Sequence, residues 1–354
     1  MSIFTRYLLG KYLKYFFIIL ISLEVFFVGI DILQYFSRLP KSANLQLLYI
    51  LYDTFFTLTI TIPLSIIFAW IITITMLVKH NDIVSFYSLG ISKKKLLKPI
   101  INISLLIVLT LIGLQTTPLA YSAEQKEKIL QHKYFVNEKS NIFLKYNDYF
   151  VYFGKLAPIE KKAYNIHIYK LKNNNVIETI IAKQAFYQNK RWYVIDAKII
   201  TKPEVINWDT SKLTVTYEKF LYTLEGFEPS IINNVYKTQT YFSILDAIYT
   251  IALLENQDFN TNKIKAILYS QLFIPFFVIP IIIFIFIYSS DSNRFFNVSK
   301  FISISIFLTL LLWGTFFLLQ KLAVGGVLGA EISIVVPLVT LLLGSYILYL
   351  KKVN

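Results

Sequence analysis

Three stretches, 54–78, 100–123 and 266–290, hold no Asp, Glu, Lys or Arg, and neither do 301–320 and 332–350. At 1.5 Å per helical residue these runs reach about 28–38 Å, enough to cross a hydrocarbon layer of roughly 30 Å. A chain carrying five of them does not fold as a soluble globule. Its composition agrees: 56% of residues are hydrophobic and only 16% charged, against roughly 25% charged in soluble domains. With no cysteine, a disulfide-stapled scaffold is excluded.

The sequence predicts six spans, at about 12–36, 50–78, 99–120, 266–288, 301–322 and 331–350. The first is the least clean, because Glu24 and Asp31 interrupt it. It begins like a signal peptide, but no small-residue cleavage site follows its apolar stretch, so a retained helix is expected.

Basic residues set the orientation. Arg6, Lys11 and Lys14 precede the first span; Lys79, Lys93, Lys94, Lys95 and Lys98 follow the second; Arg294 and Lys300 follow the fourth; Lys351 and Lys352 follow the sixth. The opposite short loops carry Arg38, Lys41 and Lys321. The positive-inside bias therefore puts both termini in the cytoplasm. It also accounts for the net charge of +14, in which only four of 35 basic residues are arginine. Arginine is the side chain best suited to reading bases, so nucleic-acid binding is not expected.

Between spans three and four lies a polar insert on the outer side. Its start, through about Leu130, reads as a helical extension of span three. From Asn141 it turns into β-rich runs (NIFLKYNDYFVYFG, YNIHIYKL, VIETIIAKQAFY, RWYVIDAKIIT, KLTVTYEKF) separated by KNNN and QNK. A sandwich or roll with one packed interior is expected. Residues 243–256 read as an amphipathic helix returning to the membrane. The expected domains are 1–130 with three spans, 131–242 as the β-domain, and 243–354 with the return helix and three more spans.

The chain has no G-x-x-x-x-G-K-[ST] phosphate loop and no G-x-S-x-G turn, and His80, His132 and His167 have no metal-ligand spacing. Glu24 and Asp31, seven residues apart, stand about 10 Å apart along a helix, too far to act as a carboxylate pair. An enzyme is not expected, nor a cofactor in this chain.

Three other places stand out. In DIVSFYSLGISKKKLLKP (82–99), Ile83, Phe86 and Tyr87 fall on one face of a short helix and Gly90 supplies its stop. Lysines 93–95 in the next helix's first turn oppose its dipole, which fits contact with lipid headgroups or an acidic partner; an ordinary interfacial loop is the blander alternative. Glu24, Asp31 and Arg38, spaced by seven, share a face with about 20° drift per heptad. An ionised group near mid-bilayer costs roughly 2.5–3.5 kcal/mol, so that stripe is expected to face protein or water. In span five, Phe307, Leu311, Phe316 and Phe317, with small Gly314, make a Phe- and Leu-rich helix able to pack loosely; a lipid-facing helix is equally consistent.

The 82–99 segment resembles the coupling helix of the lipopolysaccharide transport permeases LptF and LptG: an acidic head, an apolar pair, Gly-Ile-Ser, and a basic stretch ending in Pro. The resemblance covers the whole chain, including Arg6-Tyr7, the three-plus-three layout and the β insert. Residues 242–276 look more like LptG than LptF. It implies an inner-membrane ABC transporter subunit with a jellyroll-like periplasmic domain, a homologous LptF-like permease and an LptB-like ATPase dimer that holds ATP and Mg. LptC-like and LptA-like periplasmic proteins would receive the lipopolysaccharide. By the resemblance, Asp82 (usually Glu), Ile83, Phe86, Tyr87 and Gly90, in a coupling helix near 82–91, would couple to the ATPase. Arg38 and Lys41 would meet the lipid headgroup, with Gln34 among them where the family pattern is more basic. Glu24 and Asp31 on the same stripe are further substrate-site candidates, and the span-five face is a candidate gate against the partner permease. Two other classes fit the same layout less well: an ion-coupled secondary transporter using Glu24 and Asp31, and an ABC permease of the lipoprotein-release or efflux kind.

Overall fold

The computed structural model describes residues 3–132, 139–157, 160–172, 175–203, 212–227, 241–254 and 261–352. The chain divides into two units: Met1–Lys133 with Thr240–Ile251 and Asn260–Asn354, and Tyr134–Gln239 with Ala252–Phe259.

In the first unit, α1 (Ile3–Tyr35), α2 (Ala43–Lys79), the short α3 (Asp82–Ser88) and α4 (Lys93–Gln115) precede α5 (Ser122–Leu130). After the second unit come α6 (Ile244–Leu254), α7 (Asn262–Leu272), α8 (Val278–Tyr288), α9 (Val298–Val324) and α10 (Val336–Lys352). Five helical stretches are long and apolar enough to cross a membrane, six if the bent pair α7–α8 is one span.

α2 is the central post. Its apolar window is 72% buried, against 11% for α1. Trp70 is fully buried and donates its indole N–H to the Ile282 carbonyl of α8 at 3.1 Å, tying span two to span four. Tyr12 of α1 makes a 2.9 Å hydrogen bond with Ser104 of α4, so spans one to three share that core. The outer faces of α1 and α9 are apolar and exposed, including Phe17, Ile21, Val25, Phe307 and Leu311. Such faces are a liability in water and ordinary against lipid or another apolar chain.

One span expectation is corrected. Span three does not continue as helix to Leu130: it stops at Gln115, and a 3-10 turn, Pro118–Tyr121, precedes α5. Pro118 forces Thr117 into extended backbone, and the Thr117 hydroxyl accepts the Leu119 N–H at 3.3 Å. Span four is not straight. It bends by 42° between Asn262–Leu272 and Ile274–Tyr288, where Pro275 opens a 3-10 turn and leaves the helical ladder one donor short.

The second unit is one antiparallel sheet of β1 (Lys139–Tyr146), β2 (Tyr149–Ala157), β3 (Lys162–Lys172), β4 (Asn175–Gln188), β5 (Arg191–Thr201) and β6 (Thr214–Thr223), each strand beside the next. This sequential order has none of the crossing connections of a jellyroll among the described residues. The sheet is nevertheless rolled. Flat, β2 and β5 would lie about 14 Å apart, yet the Phe153 and Trp192 rings are 5.3 Å apart. The Tyr146 hydroxyl at the end of β1 donates to the Glu225 carbonyl just past β6 at 2.8 Å.

A crease runs across the strands at Asn141, Gly154, Asn165, Lys183, Asp196 and Lys219, where the ladder pairing lapses and resumes in register on either side. Asn141, Asn165 and Asp196 there take φ of 57°, 51° and 51°, a region Asn and Asp tolerate better than other side chains. Buried positions skip three instead of two across it: Phe153 to Leu156, Ala163 to Ile166, Ala182 to Ala185, Val194 to Ala197. The inward face thus restarts beyond the crease and one apolar interior is kept.

Candidate functional site

α3 is clamped from two sides. Asn81, at φ 58°, lets the chain turn out of α2. Asp82, in the first turn of α3, then accepts the Tyr7 hydroxyl and the Lys11 ammonium, each at 2.9 Å, from one face of α1. Ile83 is buried in the core, and Phe86 meets Phe4 edge-on at 4.8 Å. On the other side the turn after α8 closes in. Asp291 accepts from Tyr87 at 3.3 Å and from Lys93 at 2.9 Å, and the Asn293 N–H donates to the Asn81 side chain at 3.3 Å. Burial, reinforced by Asp291, pushes the Tyr87 phenol above its ordinary range and keeps it a donor.

Gly90, at φ 76°, ends α3. Its N–H reaches the Tyr87 carbonyl and the Ile91 N–H the Phe86 carbonyl, both at 3.0 Å, the paired bonds of a Schellman stop. Asp82, Ile83, Phe86 and Tyr87 therefore all meet other parts of this chain. The face left outward is Val84, Ser85, Ser88 and Leu89, with Leu89 76% exposed. Sequence reading did not single these out. The signal was there: Val84 and Leu89 are apolar yet lie off the face that Ile83, Phe86 and Tyr87 share.

The stripe on α1 also finds its partners within the unit. Glu24 accepts Thr57 at 2.7 Å and also Thr61, one helical turn along α2. Asp31 pairs with Lys126 of α5, whose ammonium is also 2.6 Å from Asp53 of α2. Burial alone would lower the Lys126 pKa, but hydrogen bonds to Asp31 and Asp53 outweigh it and hold the ammonium above its ordinary value. Asp53 is fully buried, and its second carboxylate oxygen, like the nearby Tyr49 hydroxyl, has no hydrogen-bond partner among the described residues. Neither Asp53 nor Lys126 was anticipated from sequence, since an ion pair spanning 73 residues has no local pattern.

Arg38 does not complete the stripe. α1 ends at Tyr35, and Arg38 lies in a following 3-10 turn. Gln34, Arg38 and Lys41 are exposed, and neither cation meets a carboxylate among the described residues. On α9, Phe307, Leu311 and Phe317 lie on the exposed apolar face, and Gly314 has open space where a Cβ would point. The buried aromatic of that helix is Phe316, 6.0 Å from Phe277. Among the described residues no three His, Asp or Glu side chains converge as metal ligands would.

A family model described as lipopolysaccharide export system permease LptF/LptG matches residues 6–351. No curated protein matches the chain.

Proposed function

The chain belongs to the LptF/LptG family of lipopolysaccharide export permeases, and from that premise we propose that it is one permease subunit of an ABC transporter that lifts lipopolysaccharide out of the inner membrane. ATP and Mg are held by a separate LptB-like ATPase dimer. A homologous permease, LptF-like if this chain is LptG-like, completes the cavity, and LptC-like and LptA-like proteins receive the lipid from the β unit. Both termini are cytoplasmic and the β unit is periplasmic, as the lysine distribution favours.

The observation that carries this reading is the two-sided clamp on α3. A subunit seated on Val84, Ser88 and Leu89 moves a helix wired to α1 through Asp82, Tyr7 and Lys11. The same helix is wired to the turn between α8 and α9 through Tyr87 and Asn81. One push on α3 thus reaches the first and fifth spans, whose outer faces are free to part from a partner. At the far end of α1, Arg38 and Lys41 offer charge-assisted hydrogen bonds to headgroup phosphates. Asp31 does not cancel them, because Lys126 already engages it.

The test is purification of the complex and reconstitution into vesicles. A nucleotide-binding subunit in stoichiometric amount, with lipopolysaccharide release that needs ATP and ignores ionophores, is the expected result. Release driven by an ion gradient without nucleotide would overturn the proposal in favour of a secondary transporter.

A further inference from the structure

A groove of about 680 Å³ runs between the start of α1 and α4. Lys95 and Lys98 stand at its mouth, Asn102 and Leu106 continue the same stripe of α4, and Phe4 and Leu9 form the opposite wall. Among the described residues none that lines it is acidic. We propose that this groove binds an anionic glycerophospholipid of the leaflet on the side of the chain termini, cytoplasmic in the orientation above, with the phosphate at Lys95 and Lys98 and one acyl chain along Leu106, Phe4 and Leu9.

Three observations converge on that occupant. The first is charge. The nearby carboxylates are engaged, Asp82 by Lys11 and Asp291 by Lys93. Lys95 and Lys98 are exposed and meet no carboxylate among the described residues. The second is length. From Lys95 to Leu106 α4 rises about 16 Å, close to the roughly 15 Å of one hydrocarbon leaflet, and the lining passes from ammonium to amide to alkyl in that order. The third is lining. Apart from Thr5, the two lysines and Asn102 the walls are apolar, formed by Phe4, Leu9, Ile91, Pro99, Ile103 and Leu106, the surface an alkyl chain takes up. The groove also shares Phe4 with α3, since Phe4 packs on Phe86, so an occupant touches the wall behind the ATPase-facing helix.

The experiment is native mass spectrometry on the full-length chain, alone and in the assembled complex, extracted from nanodiscs of phosphatidylglycerol or phosphatidylcholine with matched acyl chains. Phosphatidylglycerol should be retained preferentially in both samples. Replacing Lys95 and Lys98 together by Ala should lower its retention about 30-fold, from roughly 1 kcal/mol per lysine at a membrane surface, and replacing both by Arg should keep it. Leu106→Trp, at a position 60% exposed and so tolerant of bulk, should reduce retention of both lipids with the lysines intact. Equal retention of the two lipids, no effect of the Ala pair, or full phosphatidylglycerol retention by Leu106→Trp would each overturn the proposal. So would loss of the lipid on assembly, which would assign the groove to a partner.

Discussion

The Lys11 ammonium on α1 stands 2.9 Å from the Asp82 carboxylate in the first turn of α3. Both side chains are about a quarter exposed, so the pair contributes about 0.2–1 kcal/mol to stability. In the proposed transporter its larger effect is to link the movement of the two helices. Asp82→Lys should leave insertion and ATPase attachment intact while lowering lipopolysaccharide release per ATP hydrolysed. The exchange Lys11→Asp with Asp82→Lys should recover most of the loss. If the exchange is as defective as Asp82→Lys alone, Asp82 acts on another subunit and not on α1.

The outward face of α3 predicts a different phenotype. Val84 and Leu89 are 44% and 76% exposed, and interface contacts of this kind fail when a charge is buried against them. Val84→Asp with Leu89→Asp should release the ATPase on purification, with the thermal stability of the permease unchanged. Retention of a stoichiometric ATPase by this variant would place the docking surface elsewhere.

Lys126 is held between two carboxylates on different helices. Removing one partner of a buried ion pair costs about 3–5 kcal/mol, because the remaining charge is stranded. Lys126→Met should therefore destabilise the chain strongly, and adding Asp31→Asn and Asp53→Asn should return most of that stability. The pH dependence follows from the raised ammonium. Its contribution is complete below the ordinary lysine value near 10.5 and is lost only as pH rises through the higher folded value. The stability gap between wild type and Lys126→Met should narrow above about 10.5, as the ammonium deprotonates. Narrowing near neutrality would show that the triad is not what stabilises the fold.

What could be read from the sequence divides along physical lines. Charge-free runs located the spans because the bilayer imposes a length, and Gly90 marked the stop of α3 because a Schellman turn needs left-handed backbone. Positions with two structural solutions were not legible. By resemblance Asp82, Phe86 and Tyr87 read as contacts to the ATPase, and their packing against Lys11, Phe4 and Asp291 has no local sequence pattern. The crease is half legible: Asn141, Gly154, Asn165 and Asp196 break the two-residue alternation, but nothing local shows that they align across strands. At Gly154 an added Cβ would stand 2.7 Å from the Asn165 Cβ, a constraint visible only in three dimensions.

Under the proposed function, substitutions at Arg38 and Lys41 should separate lipid binding from coupling. Both lie exposed past the end of α1, away from the α3 clamp. Replacing both by Ala should reduce crosslinking to lipopolysaccharide several-fold while basal ATPase activity of the complex changes little. A parallel fall in both readouts would mean that the substitutions damage the fold.

The exposed faces of α1 and α9 predict where the two permeases part. Phe17, Ile21 and Val25 on α1, with Phe307 and Leu311 on α9, are between 49% and 70% exposed. Their chemistry suits a neighbouring apolar helix as well as lipid. Lateral entry of a molecule with several acyl chains needs a seam that opens without stranding a polar group. These faces satisfy that, because Glu24 and Asp31 stay bonded to Thr57, Thr61 and Lys126 behind them. The native chain has no cysteine, so single cysteines at Ile21 here and on the fifth span of the partner permease, and the reciprocal pair at Phe307, report the seam directly. Crosslinks should form in the absence of nucleotide and block release, and reduction should restore it. Crosslinks that form but leave release at the wild-type rate would show that the lipid enters elsewhere, and the seam between α1 and the partner would then be a static interface.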